Sequence, residues 1–137
     1  MRINELLMES LDSNQVKKII RKFTAFAKNE LGISEQPKIK LYSTLQYSNQ
    51  HQSFGGYGNK VIHLAITNRH INDILRSLAH ELVHFKQDIN NELTNISGET
   101  GSEHENNANA QAGIIMRKWG KLNPELFSRG ILSDNDA

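Results

Sequence analysis

The sequence predicts an α+β domain, on three observations: a helical period near the N-terminus, strand-like texture in the middle, and two further helical periods in the second half. Val16, Ile19, Ile20, Phe23, Phe26 and Ala27 recur at helical spacing behind Asp12 and Ser13, both good N-caps, and Gly32 is placed to end this helix. Ile3, Leu6, Leu7 and Leu11 suggest a short amphipathic turn ahead of it. Lys38-Ile39-Lys40-Leu41-Tyr42 alternates polar and apolar, as a half-buried strand does, and Val61-Ile62-His63-Leu64-Ala65-Ile66 reads as a compact, mostly apolar strand. Between them, Phe54-Gly55-Gly56-Tyr57-Gly58-Asn59 has the glycines of a tight hairpin or of an exposed edge strand. A small, mostly antiparallel sheet is expected.

The next helix should run from near Asn68 to about Asn90, with Ile71, Ile74, Leu75, Leu78, Leu82, Phe85 and Ile89 on one stripe. The last should run from Ser102 to Gly120, with Ala108, Ala112, Ile115, Met116 and Trp119 on one side. The polar residues from Asn91 to Gly101 form the turn between them, and Asn123-Pro124 opens a short tail. The whole of 1–137 reads as a single domain with flexible ends at 1–12 and 133–137.

Composition narrows the chemistry. The chain has 16 basic and 15 acidic residues, and no Lys/Arg block exceeds two, so no basic stripe for nucleic acid is visible. With no cysteine, disulfide scaffolds, thiolate metal sites and cysteine nucleophiles are all excluded. A transition-metal site would draw on carboxylates and the six histidines. No apolar run approaches the roughly 20 residues that cross a bilayer, so no membrane partner is expected. Met1-Arg2-Ile3-Asn4-Glu5 does not read as a signal peptide, and a cytoplasmic location is expected.

His80-Glu81-Leu82-Val83-His84 carries the chemistry. Histidines four apart on a helix project from one face about a turn apart, so two ring nitrogens can reach one zinc ion. Glu81 is rotated off that line and suits a general base acting on a water bound to the metal. The bland reading is two solvated surface histidines. A third ligand is sought in Ser102-Glu103-His104-Glu105 at the start of the last helix. On a helical wheel Glu105 lies nearest the apolar stripe and Glu103 nearly opposite, with His104 between. A carboxylate facing a packed side needs a positive partner, which a metal would supply. The competing readings are His104 as ligand and Glu105 as half of a capping box with Ser102.

His80-Glu81-Leu82-Val83-His84 followed by Glu105-Asn106-Asn107-Ala108-Asn109 resembles the gluzincin metallopeptidases, whose pattern is H-E-x-x-H on one helix and E-x-x-A-D on the next. The resemblance covers about 53–120 and implies a minimal zincin-like domain with His80, His84 and Glu105 on zinc and Glu81 as base. Ser97-Gly98-Glu99-Thr100-Gly101-Ser102, the Glu105 segment and Asn123-Pro124-Glu125 also look like small uncharacterised metallopeptidase-like proteins of tailed bacteriophages, which implies the host cytoplasm. The final Asp of the pattern is Asn109 here. In the family that residue orients a zinc histidine, and Asn109 offers an oxygen without the charge. The resemblance also places Phe54, Gly55, Gly56 and Tyr57 on an edge strand that receives an extended peptide. The family's later His or Tyr that steadies the oxyanion has no counterpart after Glu105; Tyr57, His51 and His63 are upstream substitutes, with His63 better read as a core residue.

Hydrolysis of a peptide or protein substrate by zinc-activated water, with Glu81 as base, is therefore the expected function. The alternative is a non-catalytic zinc-binding interaction module with a degenerate site, and a third reading is a protease confined to one partner. Nothing in the chain names the substrate.

Overall fold

Helix α1 (Ser13–Leu31) is fixed at both ends by local chemistry. Asp12 Oδ1 accepts from the Gln15 amide at 2.8 Å while Gln15 Oε1 accepts from the Asp12 amide at 2.9 Å. Such a reciprocal cap is worth about 1 kcal/mol. Gly32 stops the helix in the left-handed region, at φ 71°, and the Ile33 amide reaches back to the Lys28 carbonyl at 2.9 Å. The computed structural model describes residues 11–43, 55–91 and 102–127. Leu11, inside the segment expected to be flexible, is buried beside α1, whereas 1–10 and 133–137 lie outside the described residues.

Three strands follow: β1 (Lys38–Tyr42), β2 (Gly55–Gly58) and β3 (Val61–Ala65), in the order β1-β3-β2. β2 and β3 form an antiparallel hairpin with Gly55 opposite Leu64 and Gly58 opposite Val61. Its turn is Asn59-Lys60, at φ 51° and 61°, the two consecutive left-handed residues that a tight hairpin demands. The glycines thus belong to the edge strand, and the turn falls just after them. β1 pairs with β3 in parallel, Lys38 opposite Val61 and Tyr42 opposite Ala65, so the sheet is mixed rather than mostly antiparallel. Alternation assigns residues to faces and says nothing of strand direction; residues 43–60 are a connection long enough to bring the chain round for a parallel pairing.

One face of the sheet enters the core. Ile62 and Leu64 are fully buried, and Ile39, Leu41 and Tyr57 pack on the same cluster. Helix α2 (Ile71–Ile89) starts three residues later than Asn68 because Asn68 is left-handed, at φ 55°, and His70 is the N-cap, its Nδ1 accepting from the Asn72 amide at 3.1 Å. Of its expected stripe, Ile71 through Phe85 is buried and Ile89 packs at the margin. Helix α3 (Glu103–Leu122) begins behind Ser102, which caps the Glu105 amide at 3.1 Å, and passes through Gly120 before a single 3-10 turn, Pro124–Phe127. At its far end Trp119 meets the edge of Phe23 at 5.2 Å and lies 5.4 Å from Phe26, which fastens α3 to α1.

α3 packs chiefly against α2, and Ala108 and Ala112 are buried on its inner stripe. Small side chains there set how closely the two helices approach. Ala108→Leu is expected to cost about 1–3 kcal/mol through overpacking and to shift the first turn of α3 away from α2. Urea unfolding checks the stability, and an unchanged midpoint would show that the contact has slack.

Candidate metal centre

His80, Glu81 and His84 stand in the second half of α2, and Glu105 in the first turn of α3. The Nε2 atoms of His80 and His84 are 3.2 Å apart. Glu105 lies across both, with Oε1 2.7 Å from His80 Nε2 and Oε2 3.0 Å from His84 Nε2. Two imidazoles and a carboxylate thus converge with ligand atoms within 4.8 Å of one another, and no other such group occurs among the described residues.

The donor set can be tested against bond lengths. A tetrahedral ion with bonds of about 2.0–2.1 Å holds its ligand atoms roughly 3.3 Å apart. The two nitrogens already match that edge, whereas the carboxylate sits a few tenths of an ångström too close, at hydrogen-bond distance. Entry of an ion would need Glu105 to withdraw by those few tenths. The side chains are partly covered, with 20% of His80, 11% of His84 and 22% of Glu105 exposed, so an approach from solvent remains. Burial pushes the His80 imidazole below its ordinary value of 6.5, against the pull of Glu105, and so favours the neutral ring that a metal needs.

Glu81 is the most unusual group. It is 6% exposed, and its Oε2 is buried with no hydrogen-bond partner, while Oε1 is 3.8 Å from His80 Nε2. Burial, helped by the nearby Glu105 charge, pushes its carboxyl from 4.5 up to about 8. A buried carboxyl oxygen without a partner is costly unless something polar is meant to meet it. A divalent ion held by the neighbouring ligands would oppose both influences and favour the carboxylate.

Two amides hold the imidazoles. The Asn109 side chain hydrogen-bonds His80. Gln87 Oε1 is 2.9 Å from His84 Nδ1, and Gln87 Nε2 donates to the His104 carbonyl at 3.1 Å. Gln87 was not anticipated from the sequence. Its spacing of three from His84 on the same helix is the available signal, and it is buried, at 2% exposure. The His104 side chain is not among the converging groups, and Glu103 is exposed. Ser102 caps the helix as expected, but both Glu105 oxygens face the imidazoles.

Of the expected substrate strand, Phe54 lies outside the described residues, as does His51. Gly55 lies against α2: a Cβ there would meet Ser77 Cβ at 3.6 Å and Glu81 Cγ at 3.9 Å. Gly56 is the next residue of this edge strand, opposite His63. Tyr57 does not turn to the histidines; its ring packs on Phe85 and its hydroxyl donates to Asp88, and burial, with that bond, drives the phenol far above its ordinary range. His63 Nδ1 is 2.8 Å from the Tyr42 hydroxyl, so it is half-buried and satisfied rather than part of the core.

The raised Glu81 carboxyl has a consequence for stability. A folded state that holds a proton more tightly than the unfolded chain gains stability at low pH and loses it as pH rises towards about 8. His80, shifted the other way, opposes this only up to about its ordinary 6.5. Between about pH 6.5 and 8 the metal-free protein is therefore expected to lose stability more steeply than its Glu81→Gln variant. Urea unfolding in the presence of a chelator measures both slopes, and parallel curves would mean that Glu81 is not held neutral.

Comparison of the chain with known protein families, characterised proteins and solved structures gives no match, so function is argued from His80, Glu81, His84, Glu105 and their surroundings alone.

Proposed function

We propose that this protein is a zinc-dependent peptidase of the gluzincin type, in which His80, His84 and Glu105 hold the metal and Glu81 is the general base. The observation that carries the reading is the Glu105 carboxylate lying across two imidazole nitrogens with the buried, partnerless Glu81 oxygen beside them. Two nitrogens and one oxygen leave a position open on a tetrahedral ion, as catalytic rather than structural zinc sites do. The same donor set also serves ferrous iron. The buried Glu81 carboxyl lies beside the three candidate ligands, where a bound metal would favour the ionised form that a general base needs.

When bound, the metal supplies a Lewis acid that makes water nucleophilic at neutral pH. Glu81 takes the proton from the attacking water and delivers it to the departing amine. Gly55 brings the backbone of β2 close to Glu81, where even a Cβ would touch Ser77 at 3.6 Å and Glu81 at 3.9 Å. β2, as an edge strand along α2, suits an extended peptide that adds its own backbone to the sheet.

A non-catalytic zinc-binding module is favoured by one specific observation. Tyr57 and His63, the described upstream candidates for steadying an oxyanion, are engaged with Asp88 and Tyr42. A loss of such a donor commonly costs 10²–10³ in rate, which leaves a slow peptidase or an inert one.

Two measurements test this proposal, the first its ligand set and the second its chemistry. Glu105→Ala is expected to lower zinc affinity sharply, whereas His104→Ala stays near wild type; competitive titration with a chromophoric chelator decides it, and the reverse ranking moves the ligand to His104. Glu81→Gln is expected to retain zinc and fold while losing about 10²–10⁴ in the rate of cleavage of an unfolded protein. Equal cleavage by wild type and Glu81→Gln would remove Glu81 from the chemistry, and zinc uptake with no cleavage by either would favour the module.

A further inference from the structure

We propose that Gln87 is a positioning residue: by accepting the Nδ1 proton of His84 it leaves the Nε2 lone pair of that ring for the metal. The proposal rests on the metal-site reading above and concerns a residue outside the three ligands and the base. Its basis is the direction of a short relay. The His104 carbonyl can only accept, so the Gln87 atom 3.1 Å from it is the NH2 group. The other end of the same amide, its oxygen, must then be the atom 2.9 Å from His84 Nδ1. An amide oxygen can only accept, and Nδ1 therefore carries a proton. In a neutral imidazole this leaves Nε2 unprotonated, and Nε2 is the atom that faces Glu105 and His80.

Reversal of the amide would bring oxygen against the His104 carbonyl oxygen and NH2 against Nδ1. Gln87 is 2% exposed, so water is poorly placed to relieve that mismatch. His104 and Glu105 are consecutive, and one turn of α3 accordingly supplies both the carboxylate ligand and the carbonyl that orients the amide. The arrival of α3 on α2 installs the third donor and selects the tautomer of the second in one docking event.

The relay separates from a plain brace between helices through the choice of substitution. Gln87→Leu removes both hydrogen bonds. Gln87→Glu keeps an acceptor for Nδ1–H but, as a carboxylate, has nothing to donate to the His104 carbonyl. The positioning role predicts that zinc affinity falls about 10–100-fold in Gln87→Leu and stays within a fewfold of wild type in Gln87→Glu. A brace alone predicts equal losses in both. Nitrogen-15 and proton spectra of zinc-loaded wild type should show a slowly exchanging Nδ1–H on His84, which moves in Gln87→Leu while the His80 ring signals hold.

The spectrum of wild type keeps the test open even where a variant does not fold. Zinc bound to His84 through Nδ1, with the proton on Nε2, overturns the proposal, as does equal affinity of wild type and Gln87→Leu. A wild type that takes up no zinc overturns the metal site itself, which is a different result.

Discussion

The contact on which this structure turns is the Glu105 carboxylate lying across the two imidazole nitrogens of α2. Two nitrogens 3.2 Å apart, both within 3.0 Å of carboxylate oxygens, form a nest of electron pairs that needs a cation, whether shared protons or a metal ion. To build it, α3 must lie close on α2 at its first turn, and the two helices meet through small residues there. Ala108 and Ala112 give that approach, while Trp119 against Phe23 and Phe26 anchors the opposite end of α3. The aromatic contact contributes about 0.5–1.5 kcal/mol beyond its buried area, and its place at the far end makes α3 a lever held at both ends.

Around that contact the molecule tolerates an unfavourable arrangement. Glu81 is buried with one oxygen unpartnered and a second carboxylate nearby, a setting that costs stability in any protein without a compensating charge. The surrounding fold is organised to bear it. β2 presents Gly55 at this point of α2, so the strand backbone itself approaches Ser77 and Glu81. One strand pair later Tyr57 ties the same strand to α2 through Phe85 and Asp88. Local rules broken at one place and compensated nearby are the usual sign of a site.

Much of this was legible in the sequence because it is local. Helix α1 announced itself through Asp12 and Gly32, and α3 through Ser102, since caps and periodicity act within a few residues. The pairing of Glu105 with His80 and His84 was readable because a carboxylate on an apolar stripe demands a partner. The parallel union of β1 with β3 was not readable, because it depends on the route of the chain between distant residues. The hairpin turn at Asn59-Lys60 was hidden behind three nearby glycines that are a stronger turn signal. Gln87 escaped notice for a similar reason: a glutamine near a helix end is ordinarily solvated, and only the docking of α3 buries it.

The neutrality of both supporting amides bears on what such a site would do. His80 is held by Asn109 and His84 by Gln87, so Glu105 is the only anion among the ligands and their immediate partners on the two rings. An acidic partner on an imidazole makes the ring a stronger donor and the metal less electrophilic. Amides do less of both, which trades metal affinity for Lewis acidity and favours a more acidic bound water. In the metal-free protein burial, helped by the Glu105 charge, raises the Glu81 carboxyl to about 8. A metal held by the neighbouring side chains would lower that value. The two effects have separate causes: neutral amides give the imidazoles little negative support, while burial and the Glu105 charge raise the Glu81 carboxyl.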